Sequence, residues 1–91
     1  MRPHYKLEAW KNAMDLVDEI YKISKGFPTE EKFGLTSQMR RAAISVPSNL
    51  AEGAARKSKA EFANFINIAK GSLSELETQL IISKRQNYID N

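Results

Sequence analysis

The sequence predicts an all-α protein, an antiparallel up-and-down helical bundle with three long helices in view. Two patterns carry that expectation. Apolar residues recur at steps of three and four over three long stretches. Glycine, proline and hydroxyl residues fall between those stretches, where helices stop and start. Strand-like alternation is not convincing anywhere: the best β-formers, Val46 and the Ile81–Ile82 pair, sit inside helical periods. Ninety-one residues make one domain, 1–91. Short links between long helices imply antiparallel neighbours.

The first helix is expected over about 7–25. Leu7, Trp10, Met14, Val17 and Tyr21 form its stripe, with Ala13 and Ile20 beside them. Lys11, Asp15, Asp18, Glu19 and Lys22 lie largely off that stripe, and Gly26 and Pro28 end the helix. The loop "GFPTEEKFG" follows, with Thr29 as the cap of one short turn.

The second helix is expected over about 35–56, with Leu35, Met39, Ala42, Ala43, Val46 and Leu50 as its apolar face. Pro47 lies in its middle. A proline there removes the hydrogen bond to the Ala43 carbonyl and crowds that turn, at a cost of roughly 3 kcal/mol. Two readings stand: a continuous, kinked helix, or a helix that ends at Val46 and restarts with Ser48 as cap. The apolar period runs through the proline in phase, which favours the first. Gly53 costs about 1 kcal/mol relative to alanine in a helix interior. Close approach of another backbone would compensate, and Ala42, Ala43, Ala51, Ala54 and Ala55 suit it too.

The third helix is expected over about 58–86. Ser58 with Glu61 three residues on is the capping-box pattern. Phe62, Ile66, Ala69, Leu73, Leu76, Leu80 and Ser83 keep a 4-3-4-3-4-3 spacing suited to shallow antiparallel packing. A second stripe, Phe65, Ile68, Ser72, Glu75, Gln79 and Ile82, is mixed in polarity. One layer of neighbours does not cover both stripes, so another chain or a further helix is expected over the remainder.

The net charge of +3 is unevenly placed. Residues 36–60 hold Arg40, Arg41, Arg56, Lys57 and Lys59 against Glu52 alone, while residues 1–35 balance six basic against six acidic side chains. Such a cluster can attract an anionic partner, or serve only as a solvated helix face and loop. With no cysteine there is no disulfide framework and no thiolate metal site. Neither a signal-peptide pattern nor an apolar run of the roughly 20 residues a membrane span needs is present. A soluble, cytoplasmic protein that does not engage the membrane is expected.

Arg41, Ser45, Ser48, Glu52 and Arg56 recur at steps of four, three, four and four, flanked by Gln38 and Asn49. They form either a solvated edge with a Glu52–Arg56 ion pair, or a partly buried polar seam to a neighbouring helix. Glu75 is placed to face the arginines of the second helix, or to be a surface carboxylate. Catalysis has little to work with. The only histidine, His4, lies in a terminal segment expected to be flexible, so Ser45 and Ser48 have no partner base. Arginines beside Glu52 and Glu75 would keep both ionised, the wrong direction for a general acid. The Glu-x-x-His motifs of di-iron bundles and the glycine loops of phosphate sites are absent. No catalytic residue, metal or cofactor is expected.

The stretch "FPTEEKFGLTSQMRRAAISVPSNLAEGAARKSKAEFANFINIAKGSLSELETQL", extended upstream through "LEAWKNAMDLVDEIYKIS", resembles the bacterial four-helix-bundle family of ribosomal RNA intervening-sequence proteins. Its signature runs in order as "FP-x-x-E", "GL-x-x-Q-x-RRAA-x-S-x-P-x-N-x-AEG" and "IAKGS-x-x-ELE". The resemblance implies a bundle without established enzymatic activity. Related accessory proteins of diversity-generating retroelements form pentameric rings that bind a reverse transcriptase and nucleic acid. By that analogy the implied partners are further copies of the chain, RNA or DNA, and a reverse transcriptase. Arg40, Arg41, Arg56, Lys57 and Lys59 are the implied contacts. Gln38, Ser45, Ser48, Asn49, Glu52 and Glu75 make up the expected seam or interface. Family members continue past a "YI" like Tyr88-Ile89 into a fourth helix, which is expected to be missing here. The function expected is an oligomeric accessory factor contacting nucleic acid or a nucleic-acid enzyme, the alternative being a pure assembly scaffold.

Overall fold

The computed structural model describes residues 3–90, so Met1, Arg2 and Asn91 of the expected domain lie outside the described residues. A 3-10 turn over Pro3–Lys6 leads into helix α1, Glu8–Ser24. A second 3-10 turn, Thr29–Glu31, precedes α2, Leu35–Ala54, and α3 follows as Lys59–Arg85. The described residues contain no strand. The helices alternate in direction and fill an envelope of 44 × 23 × 22 Å. None is long and apolar enough to cross a membrane.

Helix α2 is the shared wall of the bundle. It packs along both α1 and α3, whereas no described Cα of α1 lies within 8 Å of one in α3. The core accordingly follows α2. Met39, Ala42 and Ala43 meet Ile20 of α1 and Leu76 of α3 near one end, with Phe27 closing that end. Val46 and Leu50 meet Ala13 and Ala69 toward the other. At ~25 cal/mol per Å² of apolar surface removed from water, these contacts supply the main drive for the helices to pack.

Pro47 sits inside an uninterrupted α2, so the helix neither ends at Val46 nor restarts at Ser48. Its buried ring shares a recess with Trp10, Met14 and Val17 of α1. The helix stops two residues earlier than the apolar period suggests. The Ala55 N–H turns back to the Ala51 and Glu52 carbonyls and the Arg56 N–H to that of Gly53, tightening the last turn. At Gly53 α3 comes close: a Cβ there would lie 2.8 Å from Phe62 Cδ1 and 2.9 Å from Phe65 Cβ. Close approach therefore does explain this glycine.

Ser58 caps α3 as expected, its Oγ accepting the Glu61 N–H at 3.1 Å. Thr29 does not cap its turn; Pro28 occupies that position and the first N–H groups have no side-chain partner. Nor is His4 in an isolated flexible end. Its ring packs edge-on against Tyr5 and Trp10, with centroids 4.6 and 4.9 Å away.

Candidate nucleic-acid interface

The antiparallel path sends the clustered basic residues of the sequence to two separate places. Arg40 and Arg41 lie in the second turn of α2, beside the α1–α2 loop. Arg56, Lys57 and Lys59 lie at the α2–α3 turn. About 21 Å of helix separates Arg40 from the end of α2. The five side chains do not form one patch.

At the α2–α3 turn, Arg56, Lys57 and Lys59 are exposed. Arg56 Nη2 donates to Glu52 Oε2 at 3.1 Å, the expected i,i+4 pair, and its guanidinium lies 5.0 Å from the Phe65 ring centroid. The pair is solvent-screened and worth only a few tenths of a kcal/mol. Lys57 and Lys59 have no carboxylate within 4.0 Å among the described residues. With Leu7, Gly53 and Phe62 these three basic residues line a shallow groove of about 290 Å³.

At the other end, Arg40 is half-buried and held from two sides. Its Nε donates to Ser24 Oγ at 2.9 Å, and its guanidinium stacks 4.5 Å from the Tyr21 centroid. Arg41, one position round the helix, is exposed. Arg40 is joined in one recess of about 270 Å³ by Lys25 and Lys32, with Thr29 and Thr36 on its wall. Lys25 and Lys32 are not in the cluster the sequence presents. Glu30 and Glu31 cancel them in any local charge count. Glu31, however, is engaged elsewhere: Oε1 accepts the Leu35 N–H at 3.2 Å, and Oε2 accepts the Tyr88 hydroxyl at 2.9 Å.

The polar seam proves narrower than its spacing suggests. Ser45 does lie at the α2–α3 contact, with Asn49 bonded to it along α2. Asn49 Nδ2 donates to Ser45 O and Oγ at 2.8 and 2.9 Å, and Ser72 Oγ donates to Ser45 Oγ at 2.8 Å. Ser72 is thus the member contributed by α3. Gln38, Ser48 and Glu52 are exposed although they share that side of α2. Glu75 is exposed too and does not meet the arginines of α2. It accepts from Gln79 Nε2 at 3.0 Å, one turn along its own helix. Glu52 and Glu75 therefore do not converge as a carboxylate pair in any recess described.

The uncovered side of α3 is also visible. Between α1 and α3, above Val46 and Leu50, runs an apolar groove of about 250 Å³ lined by Ala13, Leu16, Ile66 and Leu73. Ile68, Ile81 and Ile82 are exposed on the same helix.

These features define a class: an all-α antiparallel protein with a central helix, cationic ends and no cleft gathering catalytic side chains among the described residues. The family model for 23S rRNA-intervening sequence protein matches residues 5–91, and the chain belongs to that family. No curated protein matches the chain.

Proposed function

We propose that the chain is a non-enzymatic, cytoplasmic helical-bundle protein that assembles with copies of itself and contacts nucleic acid, or an enzyme acting on it, through its basic ends. One observation carries the reading: among Arg40, Arg41, Arg56, Lys57 and Lys59, only Arg56 has a carboxylate within 4.0 Å in the described residues. Unpaired cations gathered at two ends are positioned for phosphates, and membership in a family named for ribosomal RNA intervening sequences is in keeping with an RNA partner. A reverse transcriptase as protein partner, a DNA ligand and a pentameric ring belong to the same reading, by analogy with retroelement accessory proteins.

The test is binding of structured RNA across a salt series. Affinity should fall as salt rises, with a log–log slope that flattens by about 0.7–0.9 for each phosphate contact removed. Replacing Arg40, Arg41, Arg56, Lys57 and Lys59 by glutamine should weaken binding to all sequences alike. Unchanged affinity in that variant would exclude the basic ends.

A second reading, a scaffold that binds only other copies of itself, is favoured by the apolar groove between α1 and α3. It predicts assembly that is indifferent to the charge substitutions, with no RNA binding at any salt concentration.

A further inference from the structure

Phe33 is 89% exposed, far more than any other large apolar side chain described. It follows directly on Lys32, whose Nζ lies 5.4 Å from the Phe33 ring centroid. Lys32 in turn lines the recess shared with Lys25 and Arg40. An aromatic face open to water, with Lys32 beside it and that lysine shared with the recess of Lys25 and Arg40, is a poor way to stabilise a fold, since the ring buries almost nothing. It is the arrangement that unpaired nucleotides use: a base stacks on an aromatic side chain while a neighbouring phosphate is held by basic groups.

Arg40 is prepared for that phosphate. Ser24 and Tyr21 fix the orientation of its guanidinium and use only its Nε–H, leaving four of the five donors of an arginine for a ligand. No carboxylate lies within 4.0 Å of Arg40, Lys25 or Lys32 among the described residues. Of the two acids of the loop, Glu31 is hydrogen-bonded to Leu35 and Tyr88, and Glu30 has no partner among the described residues. Arginine fixed in this way gives bidentate recognition of a phosphate, and the lysines add charge.

We propose that the α1–α2 loop is a binding site for single-stranded RNA, with one phosphate held by Arg40, Lys25 and Lys32 and the adjoining base stacked on Phe33. This rests on the nucleic-acid reading above and narrows it to an unpaired segment and to one end of the bundle.

The probe is a labelled single-stranded RNA, measured against the same sequence as a duplex. Phe33→Ala should weaken single-strand binding roughly tenfold, the loss of one stacked base. Phe33→Trp should preserve it, and Phe33→Leu, apolar but not aromatic, should not. Lys25→Gln with Lys32→Gln, both at exposed positions, should weaken binding and flatten the salt slope by up to about 0.7, the share of the one phosphate they help to hold, without unfolding the bundle. If Phe33→Ala binds as the parent does while substitution of Arg56, Lys57 and Lys59 abolishes binding, this site is wrong and the broader reading survives. If the parent binds neither single strand nor duplex, the broader reading fails as well. A Phe33→Ala variant that changes the solution mass and leaves RNA affinity intact would make the ring a protein contact and overturn the proposal. Binding of inorganic phosphate with no preference for RNA would overturn the stacking half.

Discussion

Gly53 and Gly71 differ only in what surrounds them, and the difference reverses the expected effect of one methyl group. Both lie inside helices, where alanine is favoured over glycine by about 1 kcal/mol. At Gly71 nothing lies within 4 Å of an added Cβ, so Gly71→Ala should raise stability by about that amount. At Gly53 the same methyl would press into Phe62 Cδ1 and Phe65 Cβ, both closer than 3.0 Å. Overpacking of this kind costs about 1–3 kcal/mol and exceeds the propensity gain. Gly53→Ala should therefore lower the denaturation midpoint while Gly71→Ala raises it. A rise in both would mean that α3 stands farther from α2 than described. Helical periodicity identifies each as an interior glycine. It does not tell which one a neighbouring helix touches, because that depends on residues from another segment.

The end of α3 shows how one helix terminus ties down a second element. Asn87 takes a left-handed conformation, φ 63°, which asparagine tolerates better than most residues. The Tyr88 N–H then reaches Ser83 O at 2.9 Å and the Asn87 N–H reaches Lys84 O at 3.0 Å, the paired bonds of a Schellman stop. That turn swings Tyr88 against Phe27, 5.4 Å between centroids, and sets its hydroxyl on Glu31. The hydrogen bond to Glu31, with lesser help from desolvation and the negative charges of Glu31 and Glu30, raises the Tyr88 hydroxyl above its ordinary value of 10.0. The folded protein holds this proton more tightly than the unfolded chain does. Its stabilising contribution is full below pH 10.0 and is lost as pH rises through the elevated folded value. Tyr88→Phe should lower the denaturation midpoint near neutral pH, and the gap between variant and parent should close as the solution becomes strongly alkaline. A gap that stays constant through that range would show that the folded protein does not hold this proton more tightly than the unfolded chain does. The Ser58 cap and the three helices are readable from the sequence because helical period and capping chemistry are local. The Tyr88–Glu31 latch is not, since it joins residues 57 positions apart.

The bundle leaves α1 and α3 apart on either side of α2, with Leu16, Ile66 and Leu73 along an open apolar groove. Exposed apolar surface of this extent favours association. Mass measured in solution should exceed the 10.3 kDa of a single chain. Leu73→Glu, which places a charge in the groove, should reduce that mass with helix content unchanged; a well-folded monomer in the parent would sink the self-assembly half of the proposal. What the linear order of residues settles is the all-α class, three helices, their antiparallel order and the family. Each follows from periodicity, caps, link lengths and motifs that lie close together along the chain. Folding decides which polar residues touch and where the charge ends up. Ser45, bonded along α2 by Asn49, meets Ser72 while Ser48 and Glu52 turn outward, and Arg40 leaves Arg56 to join Lys25 and Lys32. Charge acts through space, and a helix of 20 residues carries neighbours in sequence to opposite ends of a bundle. Only the packed structure reveals that Glu31 is engaged, that Phe33 is bare, and that Lys25, Lys32 and Arg40 share one recess.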